Sequence, residues 1–151
     1  MYDIAIVNGM VFDGTGNPWL RRNIGINGDK IIYVGTYVPE GSLTIDASTS
    51  AVCPGFVDIH THNDLTMFGY PDAESHVMQG VTTAVGGNCG MSLDPLDPSK
   101  VDLLQSYLSP FLVKHVDYGW DWKTSGEFYD KLQFAGTAQN LIPLVGHGTL
   151  R

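Results

Sequence analysis

The sequence predicts an α/β protein: a run of βα units with a parallel sheet, preceded by a small antiparallel β unit. Three observations carry this. Residues 1–53 alternate short β-prone runs with Gly, Asn and Pro turn signals. From Pro54 onward, β-branched runs alternate with helix-length segments. Over 151 residues, 43% are apolar and 11% aromatic, enough for a buried core and against wholesale disorder.

In the first part, Asp3-Ile4-Ala5-Ile6-Val7 is a β-prone run that Asn8-Gly9 is expected to stop. Met10-Val11-Phe12 follows, before the loop Asp13–Pro18. Ile24-Gly25-Ile26 and Ile31-Ile32-Tyr33-Val34 flank Asn27-Gly28. Asn-Gly tolerates the positive φ of a tight hairpin turn, so these runs predict a hairpin. Leu43-Thr44-Ile45 is one more strand after the turn Pro39-Glu40-Gly41. No catalytic constellation falls in this part, which reads as scaffold.

In the second part, Phe56 to His62 reads as a strand with polar residues at its end. Pro71 to Gln79 is a short helix candidate ended by Gly80. Val81-Thr82-Thr83-Ala84-Val85 is a second strand running into Gly86-Gly87-Asn88-Cys89-Gly90. Ser99 is the expected cap of a helix over Val101–Leu108, and Thr124 of one over Ser125–Phe134. Phe111 to Trp122 is aromatic-rich and irregular. Leu141 to Val145 is a third strand, followed by Gly146-His147-Gly148.

Charge and composition narrow the function classes. There are 8 Lys+Arg against 16 Asp+Glu, a formal net charge of -8. Nucleic-acid binding needs clustered basic residues, so no nucleic-acid partner is expected. No apolar run approaches the roughly 18 residues of a membrane span, and no membrane partner is expected. Met1-Tyr2-Asp3-Ile4 lacks the basic and apolar stretches of a signal peptide, which predicts a cytoplasmic protein. In that reducing compartment Cys53 and Cys89 are not expected to pair.

His60-Thr61-His62 is the sharpest local feature. Residues two apart in a strand point to one side, so both imidazoles can converge on a cation. Neutral imidazole is a common zinc ligand. Asp58, one step below, can accept a bond from an imidazole N–H and fix its tautomer. Two surface histidines at a strand end, with Asp58 as an ordinary cap, fit the same spacing. Cys89 lies on a Gly-rich loop at the same end of the sheet. A thiolate there is a third candidate ligand, and a buried structural thiol is the alternative.

At these residues the sequence resembles a known family. Pro54-Gly55-Phe56-Val57-Asp58-Ile59-His60-Thr61-His62-Asn63-Asp64 is similar to the first-strand metal motif of the amidohydrolase superfamily. Gly80 to Gly90, with Gly87-Asn88-Cys89-Gly90 as its discriminating core, resembles the second-strand motif of D-aminoacylases (N-acyl-D-amino-acid deacylases). Val145 to Arg151 resembles that family's third-strand ending, and Asp3 to Asp13 its N-terminal β segment.

The resemblance implies a partial TIM barrel of the metal-dependent hydrolases. Residues 1–53 would be part of a small β-sandwich domain, and residues 54–151 about the first three βα units of a truncated (β/α)₈ barrel. It implies zinc, one or two ions per complete site, with His60, His62 and Cys89 as metal ligands and Asp58 behind them. His147 would be an electrophilic or substrate-contacting group, unless it is a strand-end histidine in ordinary hydrogen bonds. Asp64 and Arg151 are candidates for contacting a substrate carboxylate or orienting the loops. The activity implied is hydrolysis of the amide of an N-acyl-D-amino acid. A cyclic-amide hydrolase of the hydantoinase or dihydropyrimidinase type is the alternative, against which Cys89 speaks. That subgroup should bridge its metals with a Lys from a later strand.

A complete barrel needs about 250 residues. The family's two further metal histidines and its catalytic Asp lie on later strands, and nothing here matches them. His76, on the first helix, and His115, in the irregular segment, are not expected to substitute. The 151 residues alone are therefore expected to be inactive. They read as the N-terminal portion of such an enzyme, or alternatively as a non-catalytic part that completes its barrel with a second chain.

Overall fold

In the computed structural model, which describes residues 1–151, the chain forms two units, Met1–Pro54 and Gly55–Arg151. The first is a five-stranded sheet built around β1 (Tyr2–Val11). β1 pairs antiparallel with β2 (Leu20–Asn27), which pairs antiparallel with β3 (Lys30–Gly35). On its other side β1 pairs in parallel with β4 (Gly41–Asp46) and, further along, with β5 (Ala51–Val52). The sheet is therefore mixed, which corrects the expectation of a purely antiparallel unit. The parallel pairing is non-local and leaves no turn signature in the sequence.

Asn8-Gly9 does not stop the first strand. The register of β1 on β2 shifts between Ile6 and Gly9, a bulge at which Asn8 takes φ 63. The Asn8 backbone N–H donates to Asn23 Oδ1 at 2.7 Å. Asn23 is buried, and its Nδ2 donates to the carbonyls of Thr36 and Tyr37 at 3.2 and 3.0 Å. The bulged amide is thus satisfied and the strand continues. The hairpin forms as expected, one residue later. Asn27 pairs with Lys30, and Gly28, at φ 55, begins the turn.

The second unit holds a three-stranded parallel sheet in the order β6 (Phe56–Asp58), β7 (Val81–Val85), β8 (Asn140–Ile142). β7 has the expected bounds. β6 is shorter than expected, ending at Asp58 before the histidine pair. Between β6 and β7, α1 (Glu74–Val77) is a single turn. Ala73 at its start is left-handed, φ 42, and offers no capping side chain. β7 leads through α2 (Val101–Leu108) and α3 (Ser125–Ala135) to β8, and α4 (His147–Leu150) follows as one turn.

Helix α2 has the expected range with a different start. Asp97 Oδ1 accepts from the Ser99 backbone N–H at 2.9 Å, opening a short 3₁₀ turn that feeds the helix. Thr124 caps α3 as expected, within a reciprocal pair. Its Oγ1 accepts from the Glu127 N–H at 3.2 Å, and Glu127 Oε2 accepts from the Thr124 N–H at 2.9 Å.

The core of this unit is aromatic. Trp122 packs against Phe68, Trp120 and Phe128, and its indole N–H donates to the Leu93 carbonyl at 2.9 Å. The irregular segment 111–122 is pinned by Tyr118, whose hydroxyl donates to the Leu65 carbonyl and accepts from the Val113 N–H, both at 2.9 Å. Leu65 is buried three residues after His62, so this anchor also steadies the chain leaving the histidine pair.

Candidate metal centre

The histidine pair stands just past the end of β6. The Thr61 N–H and Thr61 Oγ1 both reach the Val85 carbonyl at 3.0 Å, carrying the β6–β7 ladder one step further. Thr61 thus faces β7. Its neighbours His60 and His62 lie with their rings 6.0 Å apart. His62 also packs against Phe111, ring centres 6.0 Å apart, and its Nδ1 is buried with no hydrogen-bond partner.

Cys89 arrives from the loop after β7. It adopts φ 56, between Gly87 at φ 76 and Gly90 at φ 78. Gly87 is dictated by contact as well as by φ: a Cβ there would stand 1.8 Å from the Leu144 carbonyl oxygen. A Cβ on Gly86 would stand 2.7 Å from Asp64 Cγ. The loop is therefore laid close on its supports, and it delivers Cys89 Sγ to 3.2 Å from His60 Nε2.

One donor atom each from His60, His62 and Cys89 lies within 4.8 Å of the others. Donors so spaced can reach one ion at the ~2.0–2.3 Å typical of zinc–nitrogen and zinc–sulfur bonds. Two imidazoles and a thiol are a donor set suited to zinc. His62 Nδ1, buried and orphaned, also fits a group that awaits a partner.

The other candidates fall elsewhere. Asp58 does not bond an imidazole of the pair. Its Oδ1 accepts from the His60 backbone N–H at 3.1 Å, and its Oδ2 lies 4.0 Å from His76 Nε2. His76 is thus nearer the site than expected, against the residue that holds the His60 main chain. Asp64 is not a surface charge: it is 2% exposed, both carboxyl oxygens lack partners, and burial pushes its pKa up to about 6. The nearby Gly87 amide opposes that rise. Packed under Gly86, Asp64 props the loop from inside.

His147 opens α4 beside the cysteine loop. The Gly148 and His147 backbone nitrogens are 3.3 and 3.9 Å from where a Cβ on Gly90 would stand. His147 is outside the donor cluster itself. Arg151 lines a separate groove of about 500 Å³ with Asp97, Lys100 and Tyr107. His115 stands in the irregular segment at φ 68.

Two residues escaped the sequence reading. Asn88 Nδ2 donates to the Val85 carbonyl at 2.8 Å and to the Thr61 carbonyl at 3.4 Å. Asn63 Nδ2 donates to Gln139 Oε1 at 2.7 Å and lies 3.2 Å from His76 Nδ1. For Asn88, the available signal was an Asn preceding a Cys between glycines, where a side-chain amide can satisfy loop carbonyls.

The Amidohydrolase family pattern matches residues 43–141. The chain belongs to the amidohydrolase family. Among curated relatives, this amidohydrolase is 36% identical to a D-aminoacylase of Alcaligenes xylosoxydans xylosoxydans, over 99% of this chain and 30% of that protein. It is 37% identical to an N-acyl-D-aspartate deacylase of the same organism, over 99% and 29%. A solved structure of an N-acyl-D-glutamate deacylase from Bordetella bronchiseptica, complexed with zinc and a phosphonate inhibitor, superposes with a TM-score of 0.78. That protein is 32% identical, over 99% of this chain and 30% of its own. The chain spans about 30% of the length of these relatives. No helix is long and apolar enough to cross a membrane.

Proposed function

We propose that this chain belongs to a zinc-dependent hydrolase that cleaves the amide bond of N-acyl-D-amino acids. The observation that carries the reading is the convergence of His60, His62 and Cys89, with Sγ 3.2 Å from His60 Nε2. The names of the relatives, deacylases of D-amino acids, supply the substrate class. The cysteine disfavours a cyclic-amide hydrolase bridged by a Lys.

In this reading His60, His62 and Cys89 hold the ion. The chemistry that bound zinc supplies is Lewis acidity toward an amide carbonyl and activation of water. Asp58 fixes the direction of His60 by holding its main chain. His147, beside the cysteine loop, meets the substrate. Asp64 orients that loop, and Arg151 belongs to a neighbouring groove.

The order β6-β7-β8, parallel and with helices between, supports residues 54–151 as the first three βα units of a (β/α)₈ barrel. Residues 1–53 then form part of a small β-sandwich. The two exposed free cysteines fit a reducing, cytoplasmic setting. The rest of the barrel supplies the remaining ligands and the general base.

The test is metal content beside activity. The whole protein should bind zinc and release amino acid from N-acetyl-D- but not N-acetyl-L-amino acids. Cys89→Ala should lower tightly bound zinc and turnover together. Zinc retained at the wild-type level in that variant would overturn the ligand assignment.

A further inference from the structure

We infer that Asn88 is a positioning residue that couples the histidine pair to the cysteine, presetting the metal centre. The inference rests on the metal reading above. Its first support is connectivity. The carbonyls that Asn88 Nδ2 faces belong to Thr61, the residue between the two histidines, and to Val85, the last of β7. Both partners are acceptors only, so the amide nitrogen and not its oxygen must point at them. The Val85 carbonyl already receives the Thr61 N–H and Thr61 Oγ1. One oxygen therefore gathers the histidine segment and the cysteine loop, and Asn88 supplies the loop's share.

The second support is strain. Cys89, the next residue, is held at φ 56 without being glycine. A side-chain-bearing residue stays in the left-handed region only where its surroundings over-determine it. Gly87 and Gly90 let the backbone enter that turn, but they do not hold it there. The Met91 N–H does so from one side, donating to the Asn88 carbonyl across Cys89 at 3.0 Å, and the Asn88 amide from the other, bonded on the side facing the histidines. Released, Cys89 would relax toward right-handed φ and its sulfur would swing from His60 Nε2.

The Asn88 side chain is not placed as a ligand, so its loss should act through the ligands it positions, the thiol first. The whole protein is loaded with Co²⁺ and followed by its thiolate-to-cobalt absorption band, with metal affinity measured in parallel. The wild type should show the band, and Cys89→Ser should lose it. Asn88→Ala should weaken affinity by roughly 10–100-fold and diminish the band while circular dichroism stays native. Asn88→Asp keeps the shape but removes both N–H donors. It should behave likewise, and it serves if Asn88→Ala fails to fold. Wild-type affinity and band in a folded Asn88 variant would overturn the positioning role while leaving the metal reading intact. A wild type without the band would overturn the cysteine ligand itself, and this role with it.

Discussion

Cys89 holds a left-handed backbone that costs an L-residue about 1–2 kcal/mol, inside a turn closed by the Met91 N–H on the Asn88 carbonyl. Such strain survives where the site needs the side chain in one place. Asp64, in the turn after the histidine pair and packed against that loop, is a second stressed residue. Its carboxyl is buried beneath Gly86 with neither oxygen bonded, and burial raises its pKa from 3.8 to about 6. The raised value makes the folded state hold a proton that the unfolded chain has released. Asp64 therefore stabilises fully below about pH 4, and that contribution is lost as pH rises through about 6. In the metal-free protein the loss should reach about 3 kcal/mol. Asp64→Asn should remove the slope, so that its stability relative to the wild type is greater at pH 7 than at pH 4. Denaturant midpoints measured across that window test it. An unchanged pH slope in the variant would show that Asp64 does not titrate as placed.

Among the elements, α3 has the most complete local specification. Thr124 and Glu127 each bond the other's backbone N–H. Thr124→Ala should cost about 1 kcal/mol with no effect on metal binding. A chemical denaturation midpoint checks the first part, and a metal titration the second. The cap at Thr124 was legible in the sequence because helix capping is decided within four residues. Strand β7 was legible for the same reason, as a β-branched run bounded by glycine. The end of β6 was not. His60 and His62 read as strand residues, yet β6 stops at Asp58, because the bonds that place the pair come from Val85 and Asn88, more than twenty residues away. Separation along the chain likewise hid the parallel pairing of β1 with β4, nearly forty residues apart, and the approach of Asp58 to His76, eighteen residues apart. The convergence of His60, His62 and Cys89 was readable in outline, since all three follow strands of one parallel sheet. The bond from the Asn88 amide to Thr61, between the two histidines, was not, because it spans 27 residues.

Over the whole molecule, the distribution of apolar surface is uneven. In the second unit the aromatic core around Trp122 is buried, while the parallel sheet is not covered to match. Phe56 is 57% exposed and Ile59 75%, on and just after β6, and Leu144 and Val145, just past β8, are each about half exposed. β6 and β8 are also edge strands, with main-chain groups free to pair. Parallel sheets are ordinarily covered on both faces. In the relatives, more than two thirds of the protein lies outside the region this chain matches, and a barrel would use that remainder to close both edges. A polypeptide of these 151 residues alone should therefore self-associate in the micromolar to millimolar range. Placing a charge on the bare strand, as in Val57→Lys, should weaken that association, because a lysine on an exposed edge opposes strand addition. Sedimentation of the two polypeptides over a concentration series distinguishes the outcomes. A 151-residue chain that stays monomeric throughout would mean that its sheet is shielded by its own residues. The proposed barrel would then rest on the greater length of the relatives alone.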